Sequence, residues 1–428
     1  MDFQPTKYTL QSCKTGRVFQ DEGWSLADPQ ENVPSLIRAI YEKKQIDIKG
    51  SDAGLYKYAD WLPIKKMLKG SCPPVTYKSE KLANFLGLEN LYITFSGWWP
   101  QKGAFMSTCA FKETEAYSVC ARLETKRILV VASAGNTARA FSKVCSDNNI
   151  PLVISIPEDN MNAMWFKEPL NPCVKIICTP KGSDYFDAIA LAAKLNGDPH
   201  FIEEGGAKNV ARRDGMGTTV LSAAEVIGRI PDLYFQAIGS GTGTIAAYEA
   251  NLRLIEDGRW GNHLMRVIPS QNVPFTPMYD AWKRDSKDLL PMNEEEGRNL
   301  ALQIVAKVLS NRKPPYSLAG GVYDCLKASK GDVEIADNEE ILQACDLFEQ
   351  LEGIDIHPAA GCALATLAKS VKKGIVKKGE IIMLNVTGGG EKLFKAENDF
   401  ITASANLVLN PETPAGEVIE KVLALFKA

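Results

Sequence analysis

Histidine is scarce in this chain: His200, His263 and His357 are the only three in 428 residues. They are too few and too far apart in sequence to suggest a metal site, and no catalytic role is assigned to them. Close cysteine pairs are also missing. The ten cysteines stand singly at Cys13, Cys72, Cys109, Cys120, Cys145, Cys173, Cys178, Cys325, Cys345 and Cys362, which excludes the spacing of a zinc site or of a secreted disulfide framework. They are read as small buried side chains, Cys109 among them although it lies just ahead of Lys112. No apolar run approaches the roughly 20 residues needed to span a bilayer. The N-terminus, Met-Asp-Phe-Gln-Pro, has no charged region followed by an apolar one. A soluble, cytoplasmic protein is expected. Net charge is small, 49 basic residues against 52 acidic ones, and well mixed, so no global field favours nucleic acid or an acidic membrane surface. Low-complexity tracts and internal repeats are absent. What is present is length, with 45% hydrophobic residues, enough to bury a large core in two or three lobes around a small ligand.

Residues 1 to about 100 are rich in turn formers, with a short helix predicted near Val33 to Glu42, and end in the aromatic stretch Trp98-Trp99-Pro100. After a helical stretch containing Lys112, short apolar runs alternate with amphipathic segments. Strands are predicted at Ile128 to Ala132, Leu152 to Ile156, Val174 to Cys178 and Phe201 to Ile202. Helices are predicted at Thr137 to Cys145, Asn160 to Lys167 and Ser183 to Leu195. A second set follows, with helices at Thr219 to Ile227 and Thr244 to Ile255 and strands at Tyr234 to Ile238 and Met265 to Ile268. Ala360 to Lys369 and Glu380 to Val386 close the series as helix and strand. Such alternation implies α/β architecture with parallel sheets and right-handed crossovers, whose ligand lies at the carboxyl edge of the strands. The charged segment Asp285 to Arg312 is read as a solvated face.

Four loops carry chemistry. Ser133-Ala134-Gly135-Asn136-Thr137 sits between a strand and a helix, where free amides hold a carboxylate and Asn136 either donates to a phenolate or caps the helix. Gly239-Ser240-Gly241-Thr242-Gly243-Thr244 offers glycines and hydroxyls to a phosphate. A dinucleotide loop wants glycine where Thr244 stands. Asn385-Val386-Thr387-Gly388-Gly389-Gly390 is either a flexible exit loop or a place where the Thr387 hydroxyl meets a ring nitrogen. Finally, Lys112 lies among small and apolar residues in Ala110-Phe111-Lys112-Glu113, where desolvation would make its amine nucleophilic; taken singly, a lysine is more often a solvated charge.

Lysine, asparagine loop, Gly-rich loop and Ser/Thr loop, in this order, resemble the fold-type-II pyridoxal-phosphate (PLP) enzymes over most of the chain from about residue 95 onward. The resemblance implies a tryptophan-synthase-β-like α/β fold of two parallel-sheet domains with the cofactor between them. It also implies Lys112 as the Schiff-base lysine, Asn136 at the cofactor's 3-oxygen, Gly239 to Gly243 (with Ser240, Gly241 and Thr242) around its phosphate, and Thr387 at the pyridine nitrogen. Within that superfamily, Gly182-Ser-Asp-Tyr-Phe-Asp-Ala and Asn209-Val-Ala-Arg-Arg-Asp-Gly-Met-Gly-Thr-Thr resemble motifs of the threonine-synthase branch. The chain is most similar to its paralogue family, cysteate synthase of methanogen coenzyme M biosynthesis. Two departures from threonine synthase favour that family: Glu113-Thr114-Glu115 replaces the usual Asp-Arg after the lysine, and only Cys13 remains of the Cys-rich N-terminal element.

The resemblance implies β-replacement of phosphate in O-phospho-L-serine by sulfite, giving L-cysteate. Threonine synthase acting on O-phosphohomoserine is the alternative enzyme, and a PLP-binding sensor or carrier the alternative without catalysis. Ser133, Ala134, Gly135 and Thr137 are expected to hold the substrate. Arg213, with Arg212 or Lys208 as helpers, is the candidate for its phosphate because a guanidinium matches a phosphate in a bidentate way. The same basic cluster would equally suit a solvated helix start. The expected units are 1–110 packed on the large domain, 111–218 as a mobile substrate-side domain and 219–428 as the PLP-binding domain, in a homo-oligomer without metal.

Overall fold

The computed structural model describes residues 3–133 and 135–427. Two parallel sheets organise them. The larger has six strands in the order Glu334–Ala336, Arg266–Asn272, Leu233–Ala237, Ile382–Val386, Leu91–Phe95 and Val75–Lys78. All its neighbours are parallel except the last pair, which is antiparallel. The smaller has five parallel strands in the order Phe201–Glu203, Ile128–Ala132, Leu152–Pro157, Val174–Thr179 and Leu407–Val408. The strand interiors read as continuous apolar runs, such as Leu152 to Pro157 buried throughout, because helices cover both faces of a parallel sheet. No helix among the described residues is long and apolar enough to cross a membrane.

The sheets draw strands across the expected limits of 1–110, 111–218 and 219–428. Val75–Lys78 and Leu91–Phe95 belong to the larger sheet, and Leu407–Val408 adds an edge to the smaller. The pairing partner of an edge strand is chosen in space, so a short run of two or four residues carries no mark of the sheet it joins. The helix Val210–Ile227 begins at Asn209, whose side chain accepts from Ala211 N–H. It packs between the helices Lys112–Arg122 and Thr242–Asp257 and so joins the two halves.

Two predicted helices are corrected. Near Val33 to Glu42 the chain forms the strand Ile37–Tyr41, antiparallel to Tyr8–Ser12. Ile37, Ala39 and Tyr41 are buried and Arg38 and Ile40 are not, so the run has a period of two and not of 3.6. Asn160 to Lys167 splits into a 3₁₀ turn, Glu158–Ala163, and a short strand, Trp165–Phe166, that pairs with the distant Ile401–Thr402. A partner more than two hundred residues away overrides local propensity there. The segment Asp285 to Arg312 holds the largely exposed helix Glu294–Gln303, as a solvated face requires. Its arginines do more than face water. Arg298 and Arg312 reach Asp184, the N-cap of the helix Tyr185–Ala193 above the smaller sheet, at 3.2 and 2.8 Å.

Candidate active site

Between the two sheets, at the carboxyl ends of Ile128–Ala132, Leu233–Ala237 and Ile382–Val386, lies a cavity of about 510 Å³. Lys112, Ser133, Gly135, Asn136, Thr137, Lys208, Arg212, Gly239 to Gly243 and Thr387 all line it. Ala134 lies outside the described residues. Arg213 is absent from the walls.

Lys112 opens the helix Lys112–Arg122, and the backbone ahead of it is stitched to the Thr387 loop. Phe111 N–H donates to the Thr387 carbonyl at 3.0 Å, and Gly389 N–H to the Cys109 carbonyl at 3.1 Å. The buried Cys109 adopts φ +53°, a conformation uncommon for a residue with a side chain and one that gathers at functional sites. Cys109 thus bends the chain beside the cavity without lining it, packed with Trp165 and Phe394. Burial pushes the Lys112 amine below its ordinary proton affinity, against the opposing pull of Glu115 at 3.2 Å. That is the desolvated amine expected from its neighbours in sequence.

In the asparagine loop the capping role does not fall to Asn136. Ser133 Oγ accepts from the amides of Gly135 and Ala138 at 3.1 and 3.0 Å, so the serine caps the helix Asn136–Asp147. Asn136 is thereby released from capping. Its Oδ1 accepts instead from Arg139 Nη2 at 3.1 Å. This buried arginine escaped the sequence reading, since a lone arginine on an amphipathic helix resembles a surface charge. It also donates to the carbonyls of Thr108, in the loop before Lys112, at 2.9 and 3.2 Å and of Ala163 at 2.8 Å, and lies over the Trp165 ring at 4.1 Å. One planar fork therefore holds Asn136 and the lysine loop in a single geometry.

The Gly-rich loop leads into the helix Thr242–Asp257, whose first amides have no partners within the helix. The Ser240 and Thr242 hydroxyls lie 2.8 Å apart at the same end. Gly241 has φ +78°, and a Cβ there would collide with Val322. This glycine serves the bend of the loop against its own wall as well as access for an anion. Below the loop, Asn385 Nδ2 donates to Tyr234 Oη and Gln236 Oε1 at 2.9 and 3.0 Å. This buried cross-strand network ties the two central strands together just before each yields its loop.

The substrate-side arginines are corrected. Arg213 is fully buried, with Nε on Glu249 at 2.9 Å and its two other nitrogens on the carbonyls of Ala207 and Ile37. Its fork is spent on the fold. The reason is helical phase: Arg212 and Arg213 are about 100° apart around one helix, so only one can face the cavity. Arg212 does, but it is clasped by Glu204 at 2.8 and 2.7 Å. Lys208 is exposed at the cavity and has no ion-pair partner among the described residues.

His357, to which no role was assigned, stands in the cavity wall with Nε2 3.2 Å from Glu391. Burial raises the Glu391 proton affinity, but His357, Lys395 and Arg139 outweigh it and hold the carboxyl at about 2. His357 approaches the chain where Gly388 leaves no side chain in the way. A Cβ at Gly388 would press on the His357 ring and come within 2.9 Å of the Cys109 carbonyl. Gly388→Ala is therefore expected to destabilise the protein by about 1–3 kcal/mol through overpacking and to displace Thr387. A denaturation midpoint equal to that of the parent would contradict this.

The donor set fits pyridoxal phosphate. Helix-start amides and two hydroxyls suit a phosphate monoester, and the desolvated Lys112 amine suits an aldehyde. The buried Thr387 hydroxyl, which has no protein partner among the described residues, suits a ring nitrogen.

Comparison with known proteins agrees. Residues 99–388 match the family described as pyridoxal-phosphate dependent enzyme. The chain is 43% identical over 416 residues to cysteate synthase of Methanosarcina acetivorans, covering 96% of this chain and 99% of that one. It is 44% identical over 393 residues to cysteate synthase of Methanocella paludicola, covering 90% and 91%. Among solved structures, maize serine racemase shares the fold with a TM-score of 0.56 at 15% identity, over 76% of this chain and 91% of that one. The fold is thus fold-type-II, with two parallel-sheet domains and the cofactor's donor set between them. By sequence along nearly its whole length, and by a cavity whose donors match the cofactor, the chain belongs to the pyridoxal-phosphate dependent enzymes, in the family whose curated members are named cysteate synthase.

Proposed function

We propose that the chain replaces the phosphate of O-phospho-L-serine by sulfite, giving L-cysteate and phosphate. The observation that carries this reading is the near-full-length similarity to proteins named cysteate synthase, in a chain whose cavity gathers every described cofactor residue expected from sequence. Pyridoxal phosphate supplies an electron sink for a carbanion at the substrate α-carbon.

The residues of the chain do the rest. The Gly239–Gly243 loop and the helix start behind it anchor the cofactor phosphate, and Asn136 and Thr387 fix its ring. Thr387 would offer the ring nitrogen a neutral hydroxyl in place of a carboxylate, which would suit loss of a β-substituent better than transamination. The Thr137 amide and the Ser133 hydroxyl, which still has its own proton to donate, are the groups at this helix start for the substrate carboxylate, and Gly135, whose amide is taken by Ser133 Oγ, lines the cavity beside them. Lys112, the lysine that would carry the cofactor, would take the α-proton on Nζ and later return it. Phosphate leaves with the β-carbon–oxygen electron pair, and the sulfur lone pair of sulfite forms the new bond.

Lys208 is the cation for the phosphate in this reading, taking the place of Arg213. Lys208→Ala is expected to raise KM for phosphoserine, with kcat/KM falling roughly 10- to 150-fold if a charge-assisted contact of about 1.5–3 kcal/mol is lost. The loss should be far smaller with O-acetylserine, and equal losses would remove Lys208 from this role. The reading itself is tested by incubating the holoenzyme with O-phosphoserine and sulfite. Cysteate and phosphate should appear in equal amounts. Threonine from O-phosphohomoserine, with no cysteate from phosphoserine, would overturn it.

A further inference from the structure

Glu115 is fully buried one turn after Lys112 on the same helix. Its Oε2 lies 3.2 Å from Lys112 Nζ, and its Oε1 accepts from the Thr137 hydroxyl at 3.1 Å. Arg212 comes within 3.6 Å of it, yet Arg212 already has a bidentate partner in Glu204. A buried carboxylate is costly unless something compensates it, and here the group left to do so is the lysine. Glu113, nearer in sequence, turns away to the Thr108 amide at 2.6 Å. The charges around Lys112 therefore balance as two cations, Lys112 and Arg212, against two carboxylates, Glu115 and Glu204. Tyr185, Lys208, Lys313 and His357 are the other titratable groups of the cavity wall.

We propose that Glu115 is the positioning residue of Lys112, aiming its nitrogen into the cavity and strengthening it as the base that takes the α-proton. Burial lowers the proton affinity of the Lys112 amine, and Glu115 is the largest influence opposing that. Thr137 sits beside Asn136 at the start of one helix, so its hydroxyl orients the Glu115 carboxylate relative to the residue that would hold the cofactor ring. The inference rests on Lys112 as the cofactor-bearing lysine.

The test is a pH titration of the visible cofactor absorption of the holoenzyme, parent against Glu115→Gln and Glu115→Asp. Removing an opposite charge in contact lowers the proton affinity of the lysine nitrogen. The apparent midpoint should therefore fall by about 1–3 pH units in Glu115→Gln and by less in Glu115→Asp. Borohydride reduction and peptide mapping accompany the titration. A reduced cofactor on another lysine would sink the Lys112 reading. A label on Lys112 with an unmoved Glu115→Gln midpoint would sink the Glu115 proposal alone. Should Glu115→Gln fail to fold, Glu115→Asp decides by the same criterion, a lowered midpoint supporting the proposal and an unmoved one overturning it.

Discussion

Lys112→Ala should reduce kcat by at least roughly 10³-fold, since general-base action at a positioned side chain alone is worth about 10²–10⁴ and the covalent attachment is lost with it. Borohydride should no longer fix the cofactor to the protein. Retained binding without covalent fixation is the expected state, because the phosphate loop, Asn136 and Thr387 are untouched by the change. Stability should fall, because the change leaves the buried Glu115 with the Thr137 hydroxyl and an Arg212 already bound to Glu204. The measurement is steady-state cysteate formation together with mass spectrometry of the reduced protein. A variant that keeps more than a tenth of the parent rate, or whose cofactor is still fixed by borohydride, would show that another lysine carries it.

Arg213→Ala should behave quite differently, as damage to the fold and not to substrate recognition. The guanidinium is fully buried and pairs with Glu249, whose second oxygen already lacks a partner. Removing the arginine strands that carboxylate and frees the carbonyls of Ala207 and Ile37. Breaking a buried pair from one side costs about 3–5 kcal/mol. This is a large part of the roughly 5–15 kcal/mol that holds a typical domain together. Urea unfolding should show the loss directly. Whatever activity remains should fall by the same factor with phosphoserine and with O-acetylserine. A selective loss with phosphoserine would return Arg213 to the phosphate, against the geometry.

The contrast between Arg212 and Arg213 shows where sequence reading stops. Both belong to one basic cluster, and both offer the fork that suits a phosphate. Which of them meets the cavity depends on the rotation of the Val210–Ile227 helix, and which is free depends on carboxylates contributed from elsewhere, Glu204 and Glu249. Lys208, the helper, is the cation left without a partner among the described residues. Arg139 was missed for the converse reason. Nothing in Asn136-Thr137-Ala138-Arg139 says that the arginine turns inward to Thr108, Ala163 and Trp165. His357 likewise became a wall residue through the closeness of Gly388, which is a contact between segments some thirty residues apart.

By itself the sequence determined the parallel α/β alternation, the strand ends that bear ligand loops, and the order of lysine, asparagine, glycine and threonine loops. These are local matters: strand and helix periods, and turn residues that stand where a strand gives way to a helix. The cofactor came from the resemblance of these motifs, in their order, to a known family, each motif being short and contiguous in the chain. Only the tertiary structure decided which strands share a sheet, that Ile37–Tyr41 extends and does not coil, which arginine is structural, and that Glu115 closes on Lys112 beside Thr137. Edge pairing, helix rotation and the pairing of buried charges all depend on groups distant in the chain. A buried charge takes the partner that packing brings within a few ångströms, and no local pattern encodes that partner.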